Sequence, residues 1–163
     1  MTNPLRLLLD ERLPEMDVGV MEHGFAQHGR DYVFVLEDSI SNRPGTYRLT
    51  LTHVVELHLT TAVDADVWQR SWSDEFINYA GWEAAGEPDG YVFGTNWSLA
   101  YPGLHTVDDD PNAASWSAKL GRPMHAASLH TDRFKISLVF HGVKLEQVGD
   151  RAPTVSQVII PMS

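Results

Sequence analysis

The chain is 163 residues long, carries a formal net charge of −10 and has no cysteine; 43% of it is hydrophobic, with five Trp, five Tyr and six Phe. That is enough apolar material for one packed domain over residues 1–163, which excludes wholesale disorder, and the missing thiols exclude disulfide staples and thiolate metal sites and fit a reducing compartment. Charges break the first apolar run too early for a secretory segment and no later run is long enough for a membrane span, so a soluble, cytoplasmic protein is expected.

Thr2 and Pro4 mark the start of a helix in which Leu5, Leu8, Leu9 and Leu13 recur at helical spacing until Pro14 ends it. Residues 18–23 carry only a short pattern, and Gly24 and Gly29 frame a turn. Residues 31–38 are apolar on both faces, as interior strands are. After a connection at 39–45, residues 46–60 read as one long strand. Leu51, His53, Val55, Leu57 and Leu59 share one face of it; Thr50, Thr52, Glu56 and His58 share the other. It forms a hairpin with 31–38. Short helices are expected over 64–71 and 74–79, with Asp64 and Ser73 as N-caps, followed by an acidic loop over 81–90.

Residues 91–100 alternate as a strand that Tyr101-Pro102-Gly103 stops. Asp110 caps a helix from Pro111 to Leu120, closed by Gly121 and Pro123. The clearest alternation in the chain covers 133–141. Phe134, Ile136, Leu138 and Phe140 point one way; Arg133, Lys135, Ser137 and His141 point the other, with Val139 as the apolar exception. Residues 124–131 precede it as a second strand across a tight turn at Thr131-Asp132, and 154–160 read as a last strand. The sum is an α+β fold: a mostly antiparallel, strongly curved β-sheet with a few short helices packed on one side.

The placement of charge is more informative than its size. Residues 54–118 contain Glu56, Asp64, Asp66, Asp74, Glu75, Glu83, Glu87, Asp89, Asp108, Asp109 and Asp110, but Arg70 as their only base. The rest of the chain is neutral. Such a field disfavours direct nucleic-acid binding, which needs the opposite sign, and favours a basic protein partner. Solvated acidic loops that aid solubility would give the same pattern.

Eight histidines invite a metal reading. Residues five apart on a strand face opposite sides, so neither His53 with His58 nor His125 with His130 chelates one ion locally, and no metal or other cofactor is expected. Gly-x-Ser-x-Gly and phosphate-binding glycine loops are absent from the sequence, and no catalytic residue is assigned. His28-Gly29-Arg30-Asp31-Tyr32 is the densest polar cluster, and structural turn bonds account for it. His105 with Asp108, Asp109 and Asp110 offers an acid–base pair, or a solvated loop leading to a helix cap.

Several stretches, in order, resemble the YxiG-like domain family of bacterial proteins. They are Gly24-Phe25 with Arg30-Asp31-Tyr32, Val67-Trp68 with Ser71, Gly90-Tyr91-Val92-Phe93-Gly94 with Trp97 and Tyr101-Pro102-Gly103, Ala114 with Trp116, and Ser137-Leu138-Val139-Phe140. The resemblance covers about residues 5–145, carries no assigned catalytic residues, and implies a neighbourhood of bacterial toxin and immunity genes. The functional expectation is a non-catalytic acidic binding protein, in concrete form an immunity-type inhibitor of a basic, nuclease-like toxin. Asp64, Asp66, Glu83, Glu87, Asp89, Asp108, Asp109 and Asp110 would make its contacts, with Trp82 as an aromatic anchor. The alternative is a small-molecule-binding domain or enzyme with a pocket in the curved sheet, lined by His53, Trp97, His130 and His141. Neither reading fixes an oligomeric state.

Overall fold

The computed structural model describes residues 2–12, 18–38, 44–71, 79–84, 86 and 98–149. The strand expected over 154–160, most of the helix over 74–79 and most of the strand over 91–100 lie outside the described residues. Within them the elements run α1 (Pro4–Arg12), β1 (Val18–Phe25), β2 (Tyr32–Asp38), β3 (Gly45–Thr52), β4 (Glu56–Thr61), α2 (Ala65–Ser71), α3 (Tyr79–Ala84), β5 (Ser98–Val107), α4 (Pro111–Leu120), β6 (His125–Thr131), β7 (Phe134–Phe140) and β8 (Gly142–Gly149). The strands form one antiparallel sheet in the order β4-β7-β6-β5-β1-β2-β3-β8.

That order has two ends, but the sheet is rolled. Tyr32, Phe34, Leu36, Leu49 and Leu51 from β2 and β3 share one buried cluster with Ala127, Leu129, Ile136, Leu138 and Phe140 from β6 and β7. Strands so far apart in the order meet only if the sheet curls about its concave face. The chain makes the curl at two facing bends. β3 passes into β4 through residues 53–55, and β7 passes into β8 through His141. His141 N–H donates to Thr52 O at 2.9 Å and Val55 N–H to Val139 O at 3.0 Å, so hydrogen bonding continues around the corner. The strand expected over 46–60 is therefore two strands. It breaks at His53, whose φ of 51° is left-handed and cannot continue a strand.

Local bulges decide which side chains face inward. β1 carries a bulge between Val20 and Glu22. Alternation reverses there, so Val20 before it and Phe25 after it both pack on the concave core, while Met21 joins Val33 and Val35 on the convex side. This is why residues 18–23 gave no clean pattern, and β1 runs on through Gly24-Phe25 instead of turning there. β5 likewise passes through Tyr101-Pro102-Gly103, where a bulge between Ala100 and Gly103 accommodates the proline and Gly103 takes φ 97°. α3 occupies part of the segment expected to be loop, and β8 was not expected at all.

α1 and α4 pack on the sheet through different apolar clusters. In α1, Leu5 is wholly buried in the concave cluster. Asn3, not Thr2, caps it: Asn3 Oδ1 accepts from Leu5 N–H at 3.1 Å, and Asn3 Nδ2 donates to Ala126 O at 3.0 Å. α4 lies on the convex face instead, where Ala113 and Trp116 pack on Met124, Ala126 and Val139. The apolar exception at Val139 is the floor under this helix. Its limits match expectation: Asp110 Oδ1 accepts from Ala113 N–H at 2.8 Å, and Gly121 ends it at φ 62°.

Candidate functional site

Three groups of polar side chains stand out, and each is positioned by a feature of the rolled sheet. The first is the corner. His53 and His141, one from each bend, have ring centroids 5.8 Å apart, edge to face. His141 Nδ1 lies 2.8 Å from Pro123 O; a carbonyl only accepts, so Nδ1 carries the proton. Burial first, then the neighbouring His141, hold His125 below its ordinary value. Beneath His53, Asp31 Oδ1 accepts from the His53 amide at 3.0 Å and from Arg30 Nε at 3.2 Å. Burial works to raise Asp31, but the His53 amide, Arg30 and His28 outweigh it and leave the carboxyl below its usual range. The Arg30–Asp31 cluster thus braces the left-handed bend.

The second group pins α4 to the sheet. Glu56, at the start of β4, accepts from Trp116 Nε1 at 2.9 Å, from Asn112 Nδ2 at 3.0 Å and from His58 Nε2 at 2.9 Å. The His58 and Trp116 bonds hold its carboxyl below the ordinary range. On this side of α4 lies a cavity of about 200 Å³ lined by Glu56, His58, Asp110, Asn112, Ser137 and Val139. On the other side a more open cleft of about 400 Å³ is lined by Asp108, Asp109, Asp110, Ser117 and His125. The third group is interior. His23 Nδ1 lies 2.6 Å from the Tyr32 hydroxyl, and the His23 ring sits 4.4 Å from that of Phe134. Burial pushes His23 down to about 4 and Tyr32 up, so the hydroxyl donates to a neutral imidazole.

Of the acidic residues expected to form one surface, the described Asp64 and Asp66 lie apart from Asp108, Asp109 and Asp110. Asp64 and Asp66, both exposed, sit at the start of α2, beside the β6–β7 turn, where Ala62 N–H donates to Arg133 O. Exposed Glu83 lies on α3, which also carries Trp82. Asp108, Asp109 and Asp110 sit at the opposite end, beyond Val107, which pairs with Ala126 at the start of β6. The length of β6 separates the two patches, roughly 20 Å. Of the second group, Asp108 pairs with Arg6, Asp109 is exposed with φ 53°, and Asp110 is spent on capping. Glu87, Asp89 and Trp97 lie outside the described residues. The proposed pocket residues are also divided. His53 and His141 meet, but His130 pairs with Lys135 on β7, six residues from His141. Among the described residues no three His, Asp or Glu side chains converge as a metal site requires. The pin at Glu56 and Trp116 was missed; its one signal in the sequence is an acid two residues before a histidine on a polar strand face.

A family model described as YxiG-like protein matches residues 2–156. The chain belongs to the YxiG-like family, in agreement with the resemblance noted from its ordered motifs. No curated protein matches it. Among solved structures, the crystal structure of an uncharacterized protein from Neisseria gonorrhoeae is similar over 82% of this chain and 93% of that chain, at 10% identity and a TM-score of 0.37. Among the described residues no helix is long and apolar enough to cross a membrane.

Proposed function

We propose that the protein is an acidic binding protein without catalysis whose partner is a basic protein, in its most concrete form a nuclease-like bacterial toxin that it inhibits. One observation carries this reading: eleven acids against one base in residues 54–118 of a chain with net charge −10. Exposed carboxylates at Asp64, Asp66, Glu83 and Asp109 support it. So does the way the polar clusters are spent, with Asp31 bracing a bend and Glu56 pinning a helix. Two patches roughly 20 Å apart fit beneath a standard interface, about 800 Å² per partner or roughly 28 Å across. A basic partner of that size would cover both ends of β6.

The test is association kinetics. The tagged protein is first used to recover basic proteins from its host lysate at low salt. Association with each is then measured for the native chain, for Asp64→Lys with Asp66→Lys, and for Asp108→Lys with Asp109→Lys. Each pair should slow association, the two together most, and added salt should slow the native chain steeply. An association rate indifferent to salt and to both pairs would sink the proposal.

A further inference from the structure

The register across β4, β7, β6 and β5 places convex-face side chains in rows. His58 lies opposite Ser137, Ser137 opposite Ser128, and Ser128 opposite His105. Two residues along, Thr60 lies opposite Lys135, Lys135 opposite His130, and His130 opposite Gly103. Alternation fixes the face: the intervening Leu129, Ile136 and Leu138 are in the concave core. The centre of the two rows is a four-cornered cell of Ser128, His130, Lys135 and Ser137. Its corners are roughly 5 Å apart across strands and roughly 7 Å apart along them. Gly103 leaves the β5 side of His130 open.

Two features of this cell bear on what it could bind. None of the seven side chains in the two rows is acidic, in a protein of net charge −10. Among the described residues, the side chains of Ser128, His130, Lys135 and Ser137 make no hydrogen bond or ion pair. Several polar groups elsewhere are used structurally: Glu56 takes three donors, Asp31 takes two, and Asp132 Oδ1 accepts from Leu99 N–H. Here an ammonium, an imidazole and two hydroxyls face outward with their donors unused. Exposed Lys135 and Ser137 leave the cell open to solvent.

We propose that this cell binds a small phosphate-bearing molecule, the phosphate oxygens accepting from Lys135, His130, Ser128 and Ser137. Charge and size choose the ligand. A phosphate monoester carries about −1.5 to −2 charges and several acceptor oxygens, matching a cell of four donors better than a single carboxylate does. The acid-free area is bounded by Glu56 and Asp110 above and by Asp132 below, and four strands span only about 14 Å. An extended polynucleotide would cross those acids and meet repulsion, so the site suits a compact anion. His105 flanks the cell on the β5 side and can donate to the rest of such a ligand, whereas His58 at the other end of the row gives its Nε2 to Glu56.

The test is an NMR titration of the full chain with inorganic phosphate, against sodium chloride at matched ionic strength. Saturable shifts are expected at Ser128, His130, Lys135 and Ser137, and they should be absent with chloride. Lys135→Glu should weaken phosphate binding about tenfold or more, and Lys135→Gln by less, with unchanged circular dichroism. Shifts that never saturate, that chloride reproduces, or that survive Lys135→Glu would overturn the proposal. So would a short RNA that binds this face more tightly than phosphate. The inference is independent of the acidic-partner reading, whose variants leave these residues untouched.

Discussion

The two faces of the same strands are held by different forces. On the concave face, β6 and β7 contribute Ala127, Leu129, Ile136, Leu138 and Phe140 to a continuous apolar cluster reaching β2, β3 and α1. On the convex face, the same two strands contribute only Ala126 and Val139 to a small patch under α4. There the main fastening is polar, through the Glu56 carboxylate. The contrast is between a rolled core that fixes the fold and α4, an attachment whose docking depends on a few directed bonds. It also explains where unused polar groups are found. Among the described residues the concave face holds the polar pair His23 and Tyr32, which satisfies itself. On β6 and β7 the convex face beyond α4 carries Ser128, His130, Lys135 and Ser137 in place of apolar side chains, and is free to bear ligand-directed groups.

The sharpest test uses one strand. Phe140 is fully buried, so Phe140→Ala should cost about 3–5 kcal/mol by lost transfer energy and cavity formation. Ser137→Ala, on the opposite face of that strand, should stay within about 0.5 kcal/mol. Chemical denaturation of both variants reads the difference, and comparable losses would show that the two faces of β7 carry similar stability. The next effect is specific to the concave face. The folded His23 is held near 4 against an ordinary 6.5, so the unfolded chain takes up a proton first on acidification. Stability should therefore be full above about pH 6.5 and fall as pH drops toward 4. Its contribution across that window is about 3 kcal/mol. His23→Phe should flatten this part of the stability–pH curve; an unchanged acid slope would assign it to other groups.

Much of this architecture was legible in the sequence where period and burial agree. Residues 133–141 alternate because one face is core, and the α4 caps at Asp110 and Gly121 are local chemistry. What was illegible depends on non-local bonds. The break at His53 needs the Asp31 carboxylate, twenty-two residues earlier, to hold a left-handed residue that alternation reads as continuous strand. The bulge in β1 hides its own pattern by reversing it. The acidic segment was legible as charge but not as a surface, because only pairing shows that the length of β6 separates its two ends. The polar cell was half visible. Lys135 and Ser137 were placed on an outward face, but their neighbours Ser128 and His130 required the register.

A loss smaller than those at Phe140 and His23 asks whether α4 is a separate attachment. Glu56→Ala removes the acceptor shared by Trp116, Asn112 and His58. Hydrogen bonds to a charged group are worth about 1.5–3 kcal/mol singly, but these sit near the surface, where water takes their place, so a total near 1–3 kcal/mol is expected. What distinguishes the comparison is where this loss appears. If α4 is held mainly by Glu56, hydrogen exchange should speed up in residues 111–120 and the Trp116 indole resonance should shift toward its free position. Amides in β2 and β3 should keep their protection, because their core shares no side chain with the α4 patch. Glu56→Gln keeps one carbonyl acceptor and should fall between Glu56→Ala and the native chain. If exchange instead rises equally in α4, β2 and β3, helix and core unfold as one unit, and the convex attachment is as much a part of the fold as the roll it covers.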